Sequence, residues 1–273
     1  MINTHPDYFG MMLYGGEQAR SVAEPGTFPL LAETLHSVFE SHSIRARCRG
    51  RVSGPLGKNA SPKSGPWSGP MLESWKTALK RLGEANFCRF ELFGPIWRPG
   101  QHPLAYAAID KMQRVRPDLP PERFHAGAGN SITLALHKDI LKLSLGELES
   151  LCKELALLNS TFYGYINPSD AWDYGRGAGT ARFWLMDIRF RDIIQHKYRR
   201  GRLRMTHCIP DLYVGNILSD RHFAAGDPSC IVGSENLCAE AWPCGLTYVR
   251  FLKDPQKDGA LRNSALKYFN VVA

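Results

Sequence analysis

The stretch SITLALHKDILKLSLGELESLCKELALLNSTFYGYI, residues 131–166, decides the fold. Apolar and polar side chains alternate over residues 132–137, which predicts a half-buried strand. Ser144 and Glu147 then form a Ser-x-x-Glu capping box, and the leucines behind it recur at helical spacing. Residues 162–166 are aromatic and apolar and predict a second strand. This strand–helix–strand unit indicates a protein that mixes α and β structure.

Similar patterns extend toward the N-terminus. The predicted elements there are a strand over residues 8–14, a helix capped by Thr27, a helix over residues 71–82, a strand over residues 87–93 and a short helix over residues 104–114. In the strand at 87–93, Phe90 and Leu92 share an apolar face, while Arg89 and Glu91 lie on the other face.

The C-terminal part gives weaker patterns. Residues 181–200 favour a helix, although residues 183–190 also alternate as a strand would; a short helix from Ser219, a strand over residues 246–251 and a terminal helix follow. The N-terminal half, 1–122, and the C-terminal half, 123–273, thus repeat one order of elements. We expect an α+β fold of two ferredoxin-like β-α-β halves packed into one unit, with a mainly antiparallel or mixed sheet and helices on one face.

One segment, residues 43–70, breaks this regular order. It is rich in Gly, Pro and Ser and contains Gly54-Pro55 and Gly65-Pro66, which neither a helix nor a central strand tolerates well. A flexible basic loop is therefore predicted, and a loop of this length inside a domain is either functional or disordered.

The net charge of +8 is unevenly distributed. Residues 45–63 carry six basic residues and no acid, and residues 182–204 carry eight basic residues against Asp187 and Asp192. Such patches attract acidic proteins, nucleic acid or anionic lipid, although solubilising charge on a loop and a helix face is the plainer explanation. The predicted partner contacts are Arg45, Arg47, Arg49, Arg51, Arg199, Arg200, Arg202 and Arg204.

The motifs of known chemistry are absent or incomplete. Residues 54–59 resemble a phosphate loop, but the glycine spacing is wrong and Asn59 replaces the required hydroxyl. His207 and Cys208 are neighbours and would point to opposite faces of a strand, so they form no catalytic pair. Asp170 and Asp173 could bind a metal or serve as acid and base, but polar turn residues that cap a nearby amide are far more common. We therefore predict no cofactor, no catalytic residue and no enzyme activity.

The seven cysteines favour free, mostly buried thiols in a reducing compartment. The spacing of His222 with Cys230, Cys238 and Cys244 fits no standard zinc pattern, so we expect no metal site. The first residues lack the pattern of a signal peptide, and no run approaches the roughly 18 apolar residues that a membrane helix needs. These observations predict a cytoplasmic protein without membrane insertion.

A set of weak motifs follows the order of a known family. They are FELFG at residues 90–94, FYGY at residues 162–165, YRR at residues 198–200, LYVGNIL at residues 212–218, and GLTYVRF at residues 245–251 running into KDP at residues 253–255. In this layout the chain resembles the type VI secretion immunity family, bacterial antitoxin-like proteins found beside secreted effectors. The resemblance implies an inhibitor that occludes a cognate toxin and has no catalytic residues of its own.

The sequence therefore favours a non-catalytic immunity protein that binds and neutralises a cognate secreted effector. Two alternatives remain open at this point. The first is an accessory protein that binds nucleic acid, with arginines of the 182–204 segment on phosphates and Trp184 stacked on a base, although no known nucleic-acid-binding motif is present. The second is an enzyme whose active site is assembled from residues far apart in the sequence.

Overall fold

The computed structural model describes residues 8–15, 27–53, 65–80, 87–94, 105–112, 129–137, 145–169, 207–209, 211–231, 234–255 and 257–271. The strands are β1 (Tyr8–Gly15), β2 (Arg47–Ser53), β3 (Gly65–Pro66), β4 (Phe87–Phe93), β5 (Ala105–Met112), β6 (Gly129–His137), β7 (Thr161–Ser169), β8 (Gly215–Ser219), β9 (Leu237–Trp242) and β10 (Leu246–Phe251). The helices are α1 (Thr27–Ser41), α2 (Gly69–Lys80), α3 (Leu145–Leu158) and α4 (Gly259–Leu266). Short 3-10 helices lie at Asp220–His222, Pro228–Ile231 and Pro243–Gly245.

These strands form a single sheet in the order β3-β2-β4-β5-β6-β1-β7-β8-β10-β9. Every pairing between them is antiparallel. The α+β class and the large antiparallel sheet are thus confirmed. The division into two ferredoxin-like halves is not confirmed, because β1 pairs with β6 on one side and with β7 on the other. The first strand of the N-terminal half therefore lies between two strands of the C-terminal half, and β5 pairs with β6 as a second connection between the halves.

The two faces of the sheet carry separate hydrophobic clusters. The first face packs against the first three helices; its largest buried contributions from them are Phe39 of α1, Trp75 of α2 and Leu155 of α3. The second face is covered in the region of β7, β8 and β10 by the 209–231 segment and by α4. We call these the helical face and the opposite face. The expectation of helices on one face is therefore correct for three helices and wrong for α4.

Alternation along the central strands assigns residues to the two faces. In β1, Met11 and Leu13 belong to the core of the helical face, while Met12 and Tyr14 pack against the cluster on the opposite face. Gly164 of β7 lies where the backbone of β1 comes close, since a Cβ there would lie 2.8 Å from Met12 O. The aromatic-Gly step at this position is therefore required by the packing of β7 against β1.

Two predictions of secondary structure are wrong. Ala105–Met112, predicted as a short helix, forms β5, a central strand in which Ala105 to Ile109 are all buried. Arg47–Ser53, predicted as part of a flexible loop, forms β2, which pairs along its whole length with β4. The physical reason is that the arginines of this segment occupy alternate positions, a pattern that suits a strand with one apolar face. Residues 54–64 of the same predicted loop lie outside the described residues.

A membrane-spanning helix was not expected from the sequence. Within the described part of the chain, no helix combines the length and the apolar character that crossing a bilayer requires.

His36 of α1 gives the fold a pH-dependent contact. Its ring lies 5.1 Å from that of Trp67 and its Nε2 lies 3.3 Å from Glu40 Oε1. Burial lowers the pKa of His36 below its ordinary value of 6.5; Glu40 opposes this effect and Lys76 adds to it. The unfolded chain therefore binds a proton at His36 at a higher pH than the folded chain does, so acid favours unfolding.

We expect the free energy of unfolding to fall as the pH is lowered from about 7 through the ordinary pKa of the imidazole. In His36→Gln, which does not titrate, this pH dependence should be weaker. Urea unfolding followed by circular dichroism at several pH values measures both slopes. Equal slopes for the two proteins would show that His36 is not the group that titrates.

Candidate partner-binding surface

The basic segment before and within β2 is exposed on the opposite face, near one edge of the sheet. Cys48 of β2 is buried in the core of the helical face, so its neighbours Arg47 and Arg49 project from the other side of the strand. The side chain of Arg47 is exposed, and so is that of Arg45, which lies in the connection from α1 to β2. These two guanidinium groups can form bidentate hydrogen bonds with carboxylates of another molecule.

Arg49 makes an internal ion pair. Its Nε donates to Glu91 Oε2 of the neighbouring strand β4 at 2.7 Å, and Tyr106 of β5 donates its hydroxyl to the other oxygen, Glu91 Oε1, also at 2.7 Å. The Glu91 side chain is only 2% exposed, whereas that of Arg49 is 30% exposed. The two residues are directly opposite each other in the antiparallel register. The carboxylate is thus a buried acceptor that two strands satisfy.

The same guanidinium group also lies against an aromatic ring. Arg49 Cζ is 5.3 Å from the centroid of the Phe93 ring, and Phe93 packs with Tyr106 and two alanines in a small cluster on the opposite face. A cation over an aromatic face is attracted by the ring quadrupole. Arg49 is therefore oriented by Glu91 on one side and by Phe93 on the other, while Arg47 lies one rung further along the same strand.

The structure gives less information about the other predicted partner contacts. Arg51 lies in β2 at the register position opposite Arg89 of β4. Arg199, Arg200, Arg202 and Arg204 lie outside the described residues, so their assignment to a partner surface stays a prediction. Within the described residues, the exposed basic surface around β2 consequently rests on Arg45 and Arg47.

Two residues of the group weighed for zinc, His222 and Cys230, make structural bonds. His222 is fully buried, and its Nδ1 accepts a hydrogen bond from the backbone N–H of Ser219 at 3.0 Å. Cys230 Sγ lies 3.9 Å from the carbonyl oxygen of Tyr268. Burial raises the pKa of this thiol, which disfavours the nucleophilic thiolate. These contacts explain both side chains as parts of the fold.

The described residues contain no group of three or more His, Cys, Asp and Glu side chains arranged to hold a metal ion. Six cysteines are free thiols: Cys48, Cys152, Cys208, Cys230, Cys238 and Cys244. Cys48 and Cys152 are buried, but Cys238 and Cys244 are exposed, which differs from the expectation of mostly buried thiols. Several positions weighed for chemistry, namely residues 54–59, Asp170, Asp173 and Trp184, lie outside the described residues.

A cluster of four tyrosines on the opposite face was not singled out from the sequence. Tyr165 of β7 stacks on Tyr213 at a centroid distance of 4.1 Å, and Tyr163 stacks on Tyr14 of β1 at 5.8 Å. The hydroxyl of the fully buried Tyr163 has no hydrogen-bond partner among the described residues, and burial raises its pKa well above the ordinary value. The period-two spacing of Tyr163 and Tyr165 was the signal that placed them on one face.

Nearby, Asp211 links the 209–231 segment to α4. It is fully buried, and its Oδ1 accepts hydrogen bonds from Arg262 Nε at 2.9 Å and from the backbone N–H of Leu212 at 2.8 Å. This buried carboxylate therefore has hydrogen-bond donors from both elements that it connects.

Comparison with known proteins gives a likeness of fold. No family model matches the chain, and no curated protein matches its sequence. Among solved structures, it is similar to the Pseudomonas aeruginosa T6SS protein PA0821, with a TM-score of 0.54 and 9% sequence identity. The match covers 89% of this chain but 64% of that protein. At this identity the two proteins share an architecture, and the sequence says nothing about shared residues.

Proposed function

We propose that this chain is a non-catalytic immunity protein of a type VI secretion system, which binds a cognate effector and neutralises it. The observation that carries the proposal is the fold shared with a T6SS protein over 89% of the chain. The order of weak motifs from FELFG to GLTYVRF points toward the immunity family independently of that fold. Neither observation alone names the role, but the two converge on one secretion system.

The chemistry of the described residues supports a binding role. The buried ionisable groups Glu91 and Asp211 each accept two hydrogen bonds from the protein itself, and His222 is held by Ser219. These hydrogen bonds give each group a structural role between neighbouring elements of the fold. An inhibitor needs no acid or base catalysis, since it acts by covering the surface of its target.

The exposed arginines indicate which kind of partner surface is favoured. Arg45 and Arg47 present two permanent positive charges close together on the same segment. An acidic patch on the effector would be attracted to them during encounter, which raises the association rate more than it lowers the dissociation rate. The proposed partner therefore carries carboxylates at its contact with β2.

The direct test uses the protein encoded next to this chain in its genome. Both are co-expressed, the complex is isolated through a tag on this chain, and survival of the host is scored with and without it. A complex that co-elutes together with rescue of growth supports the proposal. If the neighbouring protein kills its host regardless and no complex forms, the immunity role is refuted.

Charge reversal tests the surface. In the double variant Arg45→Glu/Arg47→Glu, the association rate constant for the effector should fall about tenfold at low salt, and the salt dependence should weaken. The matched control is Lys253→Glu/Lys257→Glu, which changes the net charge equally at exposed positions elsewhere. Biolayer interferometry over a salt series gives the rate constants. If both variants slow association to the same extent, net charge and not the β2 segment controls the encounter.

A further inference from the structure

The outer edge of β9 is exposed at the end of the sheet opposite to β3. The four consecutive residues from Cys238 to Ala241 are exposed, and the two ends of the strand, Leu237 and Trp242, are buried. Within the described residues β9 pairs with β10 alone, over six residues in continuous register. An exposed strand edge offers unpaired N–H and C=O groups to any further strand.

The usual protections of an edge strand are missing from β9. Proline, lysine and a β-bulge are the common devices that prevent pairing with another chain, and the sequence LCAEAW contains neither proline nor lysine. Glu240 is the only charged residue of the strand, and its carboxylate accepts a hydrogen bond from Lys153 of α3 at 2.8 Å. The side chains beside it are small, so a further backbone can approach closely.

The hydrogen-bond pattern shows which backbone groups point outward. Residues opposite each other in an antiparallel ladder alternate between pairs that exchange both backbone bonds and pairs that exchange none. Leu252 N donates to Asn236 O at 3.1 Å, which fixes the phase of this alternation. Cys238 and Glu240 consequently bond inward to β10, and the backbone groups of Ala239 and Ala241 point away from the sheet.

We propose that β9 is a self-association surface, on which a second copy of this chain adds its own β9 in antiparallel orientation. A two-fold axis at Ala239 brings the Ala239 N–H to the Ala239 carbonyl of the second copy. It also brings the Ala241 N–H to the Leu237 carbonyl of the second copy, and the symmetry repeats both bonds. The Leu237 N–H already donates to Ser234 O at 3.4 Å, so it needs no partner there.

Charge selects this register over the neighbouring one. An axis at Glu240 would place two carboxylates directly opposite each other, which is destabilising. With the axis at Ala239, Glu240 faces Cys238 of the second copy instead. Ala239 faces its own equivalent and Leu237 faces Ala241, so the contacts on the opposite face are apolar. The result is one continuous sheet through the dimer, built on the commonest symmetry of protein oligomers.

The test compares two lysine variants that add the same charge at exposed alanines. Ala239→Lys places two ammonium groups at the axis, whereas Ala225→Lys lies in a turn outside β9. Light scattering after gel filtration and hydrogen exchange are measured at protein concentrations of roughly 5 to 500 µM. The wild type and Ala225→Lys should dimerise with rising concentration, and the amides of Ala239 and Ala241 should become protected. Ala239→Lys should weaken the dimer at least tenfold.

Other outcomes overturn the proposal. A wild type that stays monomeric refutes it. Fast hydrogen exchange at the amides of Ala239 and Ala241 would then show that the edge is accessible to a different protein. Slow exchange would show that another segment of the chain covers it. A dimer that Ala239→Lys leaves intact would use another surface. Because β9 and β2 lie at opposite ends of the sheet, these results do not bear on the proposed immunity function.

Discussion

Trp75→Ala should lower the free energy of unfolding by about 4 kcal/mol, as expected for deletion of a fully buried aromatic side chain that leaves a cavity. Trp75 of α2 is 0% exposed and lies in the core of the helical face. Its ring centroid is 4.9 Å from that of Phe90 in β4, with the planes inclined by 57°. This contact fixes α2 against the N-terminal part of the sheet, close to the strand that carries Arg47 and Arg49.

Urea unfolding measures the loss, and Trp75→Phe is the matched control. Phenylalanine keeps an aromatic ring against Phe90 and fills most of the volume of the indole. The control should therefore cost much less than the alanine variant. If Trp75→Ala were to unfold within about 1 kcal/mol of the wild type, the site would be able to collapse, and α2 would not depend on this side chain.

The parts of the fold that the sequence predicts well are those with one apolar face. β4, β6 and α3 each show a clear periodicity, because large apolar residues line the side in the helical-face core while polar or smaller residues prevail on the other side. β4 illustrates the rule: Phe90 and Leu92 are in the helical-face core, whereas Glu91 lies on the other side beside Arg49. The sequence alone therefore predicts which side of β4 faces the helical-face core.

The missed strands lack that contrast. Ala105 to Ile109 of β5 are buried on both faces, so polar and apolar residues do not alternate, and the alanines suggest a helix. β9 is short, with four exposed small or polar residues in sequence, and gives almost no pattern. Strand order is still harder to predict, because the position of β1 between β6 and β7 depends on contacts between residues that lie far apart in the chain.

The arginines of β2 were identified from the sequence as a candidate surface, but their secondary structure was predicted wrongly. Their charge suggested a flexible loop, but their spacing at every second position was the informative property. That spacing places Arg47 and Arg49 on one side of a strand whose other side is buried through Cys48. The partner of Arg49 could not be inferred, because Glu91 lies 42 residues away and only the register of β2 with β4 brings the two together.

Glu91→Ala should lower the free energy of unfolding by about 3 kcal/mol, the lower end of the range for breaking a buried ion pair. The change leaves the Arg49 guanidinium and the Tyr106 hydroxyl without the carboxylate that both donate to. We expect the lower end because the Arg49 side chain is 30% exposed, so water can solvate part of the stranded charge.

Two further variants separate the ion pair from the hydrogen bonds. Glu91→Gln keeps an oxygen acceptor and the shape of the side chain, so it should cost clearly less than Glu91→Ala. In the double variant Glu91→Ala/Arg49→Met, the stranded cation is gone, and part of the stability lost in Glu91→Ala should return. Urea unfolding of these proteins and of the single variant Arg49→Met completes the double-mutant cycle. If the double variant is no more stable than Glu91→Ala, the cost comes from Tyr106 and the cavity, and Arg49 is then not held in place by Glu91.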